Sequence, residues 1–199
     1  MRGGQATREK ILREALRLFQ ERGLAETSIS DIEAAAGVSK GALYFHFPSK
    51  EALALAALDK AREDFKRFLR EAFAQEPPRA ALRRFLEKIY EKLSQEGFHT
   101  GCLFGNTAIE VANRPGPIRD FIEETFEEWK TSLAGVLREA QARGCLCREH
   151  SPEDLALFLI AALEGAILLC RLKKEGGPLR KVMTLLEALM PFEKGGEKI

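Results

Sequence analysis

The sequence is poor in strand-forming residues, in Asn and Gln, and in net charge of either sign. With few β-branched residues and an abundance of Ala, Leu, Glu, Arg and Lys, local propensity favours helix almost everywhere, so an all-α fold is predicted. The 31 Lys and Arg nearly cancel the 30 Asp and Glu, leaving +1. A chain this balanced does not declare a polyanionic partner through its overall field, and charge must be read locally. Residues 1–50 hold eight Lys and Arg against six Asp and Glu, a net of +2, and the remainder carries −1. That bias is compatible with DNA contact without establishing it.

Other absences remove whole classes of function. No apolar stretch follows Met1, so no secretory signal is read. The longest apolar run, Leu155 to Cys170, is broken by Glu164 and Gly165 and falls short of the roughly 20 residues a spanning helix needs. A cytoplasmic protein without membrane association is expected. Its four cysteines (Cys102, Cys145, Cys147 and Cys170) are read as reduced thiols rather than a disulfide framework. There is no Gly-rich phosphate loop, nucleophile elbow or pair of carboxylates in a credible pocket, so no catalysis and no cofactor are expected. Glu96 and His99 fit half of a di-metal bundle motif, which needs a second copy. Cys145 and Cys147, near Glu149 and His150, lack the spacing of a zinc knuckle, and no metal site is expected.

What is present is helical punctuation. With 45% hydrophobic and 31% charged residues the chain suits a soluble globule. Ile11, Ala15, Leu18 and Phe19 recur at helical spacing from Thr7 to Arg22, and Gly23 closes that helix. Ser28 with Asp31 three residues on forms a capping box that opens a very short helix ending at Ala36. After the turn at Gly37-Val38, Ser39 caps a third helix to His46 or Phe47, which Pro48 stops. Ser49 caps a long fourth helix that runs to Pro77-Pro78. Further helices are predicted from Arg79 to Glu96, from Leu103 to Asn113, and from Pro117 to Arg143. Ser151-Pro152-Glu153-Asp154 opens one that reaches Lys174, and a last helix follows Pro178 to Met190.

Two short helices joined by a Gly-containing turn make a helix-turn-helix, whose second helix enters the major groove of DNA. Lys40 and Tyr44, four apart, share one face of that helix, while Leu43 and Phe47 share an apolar one. A cation and a phenol are poor core material. Lys40 can reach a guanine edge or a phosphate, Tyr44 and Lys50 can hold phosphates, and Gly41 lets the helix approach closely. Thr27 and Ser28 can donate to a phosphate together with free amides at the helix start. His46 reads equally as a DNA contact or as a structural residue at the helix end.

The stretch from Thr27 to Glu51, with Phe19 and Gly23 before it, closely resembles the signature of the TetR family of transcriptional regulators. The resemblance implies a DNA-binding domain over residues 5–65 and a ligand-binding and dimerisation domain over 66–195, forming an Ω-shaped homodimer. It implies DNA contact at Thr27, Ser28, Ser39, Lys40, Gly41, Ala42, Tyr44, His46 and Lys50. It also implies a ligand-responsive repressor on a palindromic double-stranded operator. An activator or ligand-independent regulator shares that fold, and a thiol or metal sensor or a helical enzyme is the rival from another class.

The expected dimer interface lies on the last two helices, at Leu155, Phe158, Leu159, Ala162, Ala166, Leu169, Val182 and Leu186, because so apolar a helix needs burial on two faces. Phe65, Phe85, Phe104, Phe126 and Trp129 are candidates to line an effector pocket, with Asn106 and Glu164 as polar anchors. The expected effector is a small apolar or aromatic molecule, an acyl thioester among the classes that fit.

Overall fold

The computed structural model describes residues 2–73, 77–146 and 148–189; Cys147, the side chain of Leu189 and the chain beyond it lie outside the described residues. Among the described residues there are nine helices and no strand: α1 (Arg2–Arg22), α2 (Ile29–Ala36), α3 (Lys40–His46), α4 (Lys50–Phe73), α5 (Pro78–Gln95), α6 (Leu103–Val111), α7 (Pro117–Ala142), α8 (Pro152–Lys173) and α9 (Gly177–Leu189). The predicted elements are all present, and α1 starts at Arg2 rather than Thr7. Its extra turn is supported by Gln5, whose Nε2 donates to Glu9 one turn on at 3.4 Å.

The chain forms two compact units. The first comprises the residues up to Phe65 together with Cys102–Glu124; the second comprises Lys66–Gly101 and the chain from Thr125 onward. The units follow different bounds from the sequence division into 5–65 and 66–195: α6 and the start of α7 group with the first unit. One tie is visible at Arg62, whose guanidinium lies 4.3 Å from the centre of the Phe121 ring.

In the first unit Ile11, Ala15, Leu18 and Phe19 of α1 meet Ile32 and Ala36 of α2 and Leu43 of α3, all nearly inaccessible to solvent. Burying each large side chain contributes about 1.5–3 kcal/mol, which is what holds helices too short to persist alone. The second unit is organised around α9, which packs on α8 and α5. Leu179 and Leu186 of α9 are fully buried, as is Leu159 of α8. Arg180 covers the Tyr90 ring at 4.5 Å, and Arg83 pairs with Glu187 at 3.3 Å.

Helix α8 is longer than the apolar run within it. Ser151 accepts from the Asp154 amide at 3.0 Å and Pro152 sits in the first turn, so the helix starts early and reaches 22 residues with a mean hydropathy of 2.2 over its most apolar window. By length and composition that is enough to cross a membrane, contrary to the expectation from the run alone. Its Ala156, Leu159, Leu163, Ala166, Ile167 and Cys170 are buried inside the second unit. Burial pushes the Cys170 thiol above its ordinary range, so the sulfur stays protonated while accepting from the Leu179 amide at 3.3 Å.

The capping box at α2 is fully formed. Ser28 donates to Asp31 Oδ2 through its hydroxyl (2.6 Å) and its amide (2.8 Å), and its Oγ accepts from the Asp31 amide at 3.1 Å. These bonds, the hydroxyl's above all, hold the Asp31 carboxyl below its usual value. A group with a depressed folded pKa stabilises the fold above its unfolded value, about 3.9, and loses that contribution as pH falls through the folded one. Asp31→Asn is accordingly expected to melt below the native protein at neutral pH. The gap should narrow in thermal melts as the pH is taken below about 4. A gap that stays constant to strongly acidic pH would contradict this role for the ionised carboxylate.

Candidate nucleic-acid interface

The interface is built on α3. Ser39 sits in extended backbone as its N-cap and accepts from the Ala42 amide at 3.2 Å. Leu43 and Phe47 face inward, 0% and 3% exposed, against α1 and α2. The Arg8 guanidinium lies 5.1 Å over the Phe47 ring, which braces the end of α3 from α1. With its inner face fixed, α3 presents Lys40, Gly41, Tyr44 and Phe45 to solvent. A Cβ placed on Gly41 would meet nothing within 4 Å, so the space this glycine keeps open lies outside the chain.

Phe45 was not singled out from sequence and is the most exposed aromatic side chain of the first unit, at 84%. The signal was available. At 3.6 residues per turn, position 45 falls roughly 200° around the helix from Leu43, away from the core face. An exposed phenylalanine beside an exposed lysine and tyrosine is a surface shaped for contact.

Other expected contacts are placed differently. Thr27 is fully buried, and its hydroxyl donates to the carbonyls of Gly23 (2.7 Å) and Leu18 (3.3 Å). That geometry removes its side chain from a phosphate and makes it the anchor between the end of α1 and the start of α2. Ser28 is exposed, with its hydroxyl engaged by Asp31. His46 is half-buried, its ring edge-on to Phe45 at 5.1 Å and 6.5 Å from Phe47. Lys50, half-buried at the start of α4, donates to the Ala25 carbonyl at 3.4 Å.

The expected effector residues divide between the units. Phe104 is buried in the first unit, and Phe65 and Asn106 are half-buried there. In the second unit Phe85 and Trp129 are buried, and Phe126 and Glu164 are half-buried. Phe85 stacks obliquely between Phe68 and Phe73, and Phe126 meets Trp129 edge-on at 5.1 Å. The second unit also contains a narrow apolar crevice between Phe73, Pro78, Leu82, Leu133, Val136, Leu137, Ala140 and Leu159, which none of the expected residues lines. The Glu96 carboxylate accepts from Thr100. Among the described residues no three His, Cys, Asp or Glu side chains converge on a metal site.

The Thr27 geometry carries a prediction. Thr27→Val keeps the shape and removes the one hydroxyl proton that the Gly23 and Leu18 carbonyls share, so it should lower unfolding free energy by about 1–3 kcal/mol in denaturant titrations. Full stability in this variant would show that the hydroxyl does not anchor the turn.

Comparison with known proteins fits this geometry. Residues 11–57 match the family model of bacterial regulatory proteins, tetR family, and residues 78–186, over half of the chain, match that of the tetracyclin repressor-like C-terminal domain. The HTH-type transcriptional repressor DhaR of Mycobacterium sp. (strain GP1) is 33% identical over 187 residues, spanning 92% of this chain and 92% of that protein. The transcriptional regulator AcuR of Cereibacter sphaeroides is 34% identical over 173 residues, 86% of this chain and 79% of that one. The crystal structure of regulatory protein TetR from Rhodobacter sphaeroides matches with a TM-score of 0.87 at 32% identity, over 92% of this chain and 97% of that one. With a helix-turn-helix whose outer face is free for DNA and family matches on both sides of the chain, this protein belongs to the TetR family: it is a DNA-binding regulator of transcription, not an enzyme.

Proposed function

We propose that this regulator is a cytoplasmic repressor that binds a palindromic operator as a homodimer and is released by a small apolar or aromatic effector. The observation that carries the DNA reading is the outer face of α3, where Lys40, Gly41, Tyr44 and Phe45 stand exposed on a helix locked from behind by Leu43 and Phe47. Lys40 suits a guanine edge or a phosphate, the Tyr44 hydroxyl a phosphate, and the Phe45 ring the methyl group of a thymine. Repression is supported by the name of the relative DhaR, a repressor of matching length.

Dimerisation is supported by the outer side of α8. Leu157, Phe158, Leu168, Leu169 and Leu172 are 47–76% exposed, and Leu185 of α9 is 57% exposed. So many large apolar side chains on one helix would not stay in water on a soluble protein, and a second copy covers them by two-fold symmetry. This shifts the expected interface. Leu159, Ala166 and Leu186 are buried in the subunit core and are not available to a partner, whereas Phe158 and Leu169 are. The effector reading rests on the second unit's aromatic content, with Phe126 and Trp129 as candidate contacts and Glu164 as a candidate polar anchor.

Selection of bound duplexes from a random DNA pool tests the function directly: a palindromic consensus is expected, and a pool without enrichment would refute operator binding. On the recovered duplex, Lys40→Ala, Tyr44→Phe and Phe45→Ala should each weaken binding roughly 5- to 150-fold, the equivalent of one lost base or phosphate contact, with unchanged melting. Undiminished affinity in all three would remove α3 from the groove. The double variant Leu168→Glu, Leu172→Glu should sediment as a monomer at micromolar concentration; a persistent dimer would place the interface elsewhere.

A further inference from the structure

Between the end of α1 and the start of α2 the chain turns through Gly23, Leu24 and Ala25, and this turn is held from outside. The Gly23 amide still donates to Phe19 at 2.9 Å, at a left-handed φ of +92°. The next two amides lie past the end of the helix and both point at one carboxylate of α6. Leu24 N donates to Glu110 Oε1 at 3.0 Å, and Ala25 N donates to Glu110 Oε2 at 2.7 Å. Lys50 at the start of α4 takes the Ala25 carbonyl, and Thr27 takes the Gly23 carbonyl.

A carboxylate that gives one oxygen to each of two successive amides fixes the peptide in rotation as well as position, as a paired, charge-assisted contact does. The closeness of the fit is recorded at Gly23, where a Cβ would stand 2.4 Å from Glu110 Oε1. Glycine is favoured there by its backbone angle, and a Cβ would displace the carboxylate that closes on it. From Ala25 the chain reaches the buried Thr27 and the Ser28 cap within three residues, so the setting of this turn is passed on to α2 and α3.

We propose that Glu110 is a positioning residue for operator reading, which holds the α1–α2 turn and so sets how α2 and α3 are presented. This rests on the DNA-binding reading above and adds a residue that touches no DNA. Glu110→Gln keeps the size and replaces one acceptor by an N–H facing an N–H. Loss of about one charge-assisted hydrogen bond predicts roughly tenfold faster exchange at the Leu24 and Ala25 amides and roughly tenfold weaker binding to the selected duplex. A scrambled duplex of equal length, bound through phosphate charge alone, should be held within about twofold of native affinity at the same salt. Gly23→Ala should reproduce the pattern with the carboxylate still present.

The experiment combines amide exchange by mass spectrometry or NMR on the full-length protein with fluorescence anisotropy on both duplexes. Unchanged exchange at Leu24 and Ala25, unchanged affinity for the selected duplex, or equal losses on both duplexes in Glu110→Gln would each overturn the proposal. If Glu110→Gln does not fold, Glu110→Asp, which keeps the charge one methylene short of the amides, carries the same comparison. Failure of the native protein to prefer the selected duplex would instead refute the DNA reading, and the exchange rates would still decide whether Glu110 holds the turn.

Discussion

Helix α3 has seven residues and α2 has eight, well below the roughly 12–15 at which an isolated helix becomes even marginal in water. Neither can exist without the surface of α1 behind it, and everything the first unit does follows from that dependence. Ile11, Ala15, Leu18 and Phe19 supply the apolar platform, and Ile32, Leu43 and Phe47 close on it. Because the inner face supplies the burial, the outer face of α3 is free of structural duty. Lys40, Gly41, Tyr44 and Phe45 can then be chosen for what they touch outside the protein.

The caps complete this arrangement by fixing where each short helix begins. Ser28 and Ser39 each satisfy one amide of the first turn, and Asp31 returns the favour to Ser28. Gly37, at a φ of 58°, ends α2 in the left-handed conformation and allows the sharp turn into α3. These devices are local in sequence, within four residues of what they act on. That is why the helix-turn-helix was legible to within a residue or two from the sequence alone.

What was not legible is what depends on distant partners or on which side of a helix is covered. Thr27 reads in sequence as a surface residue before a cap, and only tertiary packing drives it to full burial between two carbonyls. Glu110 lies 85 and 86 residues from the amides it holds, and nothing in the periodicity of α6 singles it out. In α8 the apolar residues surround the helix, so hydropathy cannot tell the stripe that enters the core from the stripe left outside. Leu159 and Ala166 proved to be inner, and Leu157, Leu168 and Leu172 outer. The packing of Cys102–Glu124 with the first unit was likewise hidden, because linear order does not show which neighbours a helix returns to.

The two open surfaces of the chain therefore differ in kind. The outer face of α3 is mixed, with a cation, a phenol, an exposed ring and a bare backbone at Gly41, which suits a polar, grooved and negatively charged partner. The outer face of α8 is leucine and phenylalanine with small residues at Ala161 and Gly165 between them, which suits close approach of another apolar helix and offers nothing to a phosphate. A single subunit reading one short stretch of groove with so few side chains would gain little specificity over the background of non-specific sites. Joining two copies through α8, as proposed, would double the base edges read and tie the two readings into one binding event, so the apolar face exposed on the lone subunit is also what would give α3 its selectivity.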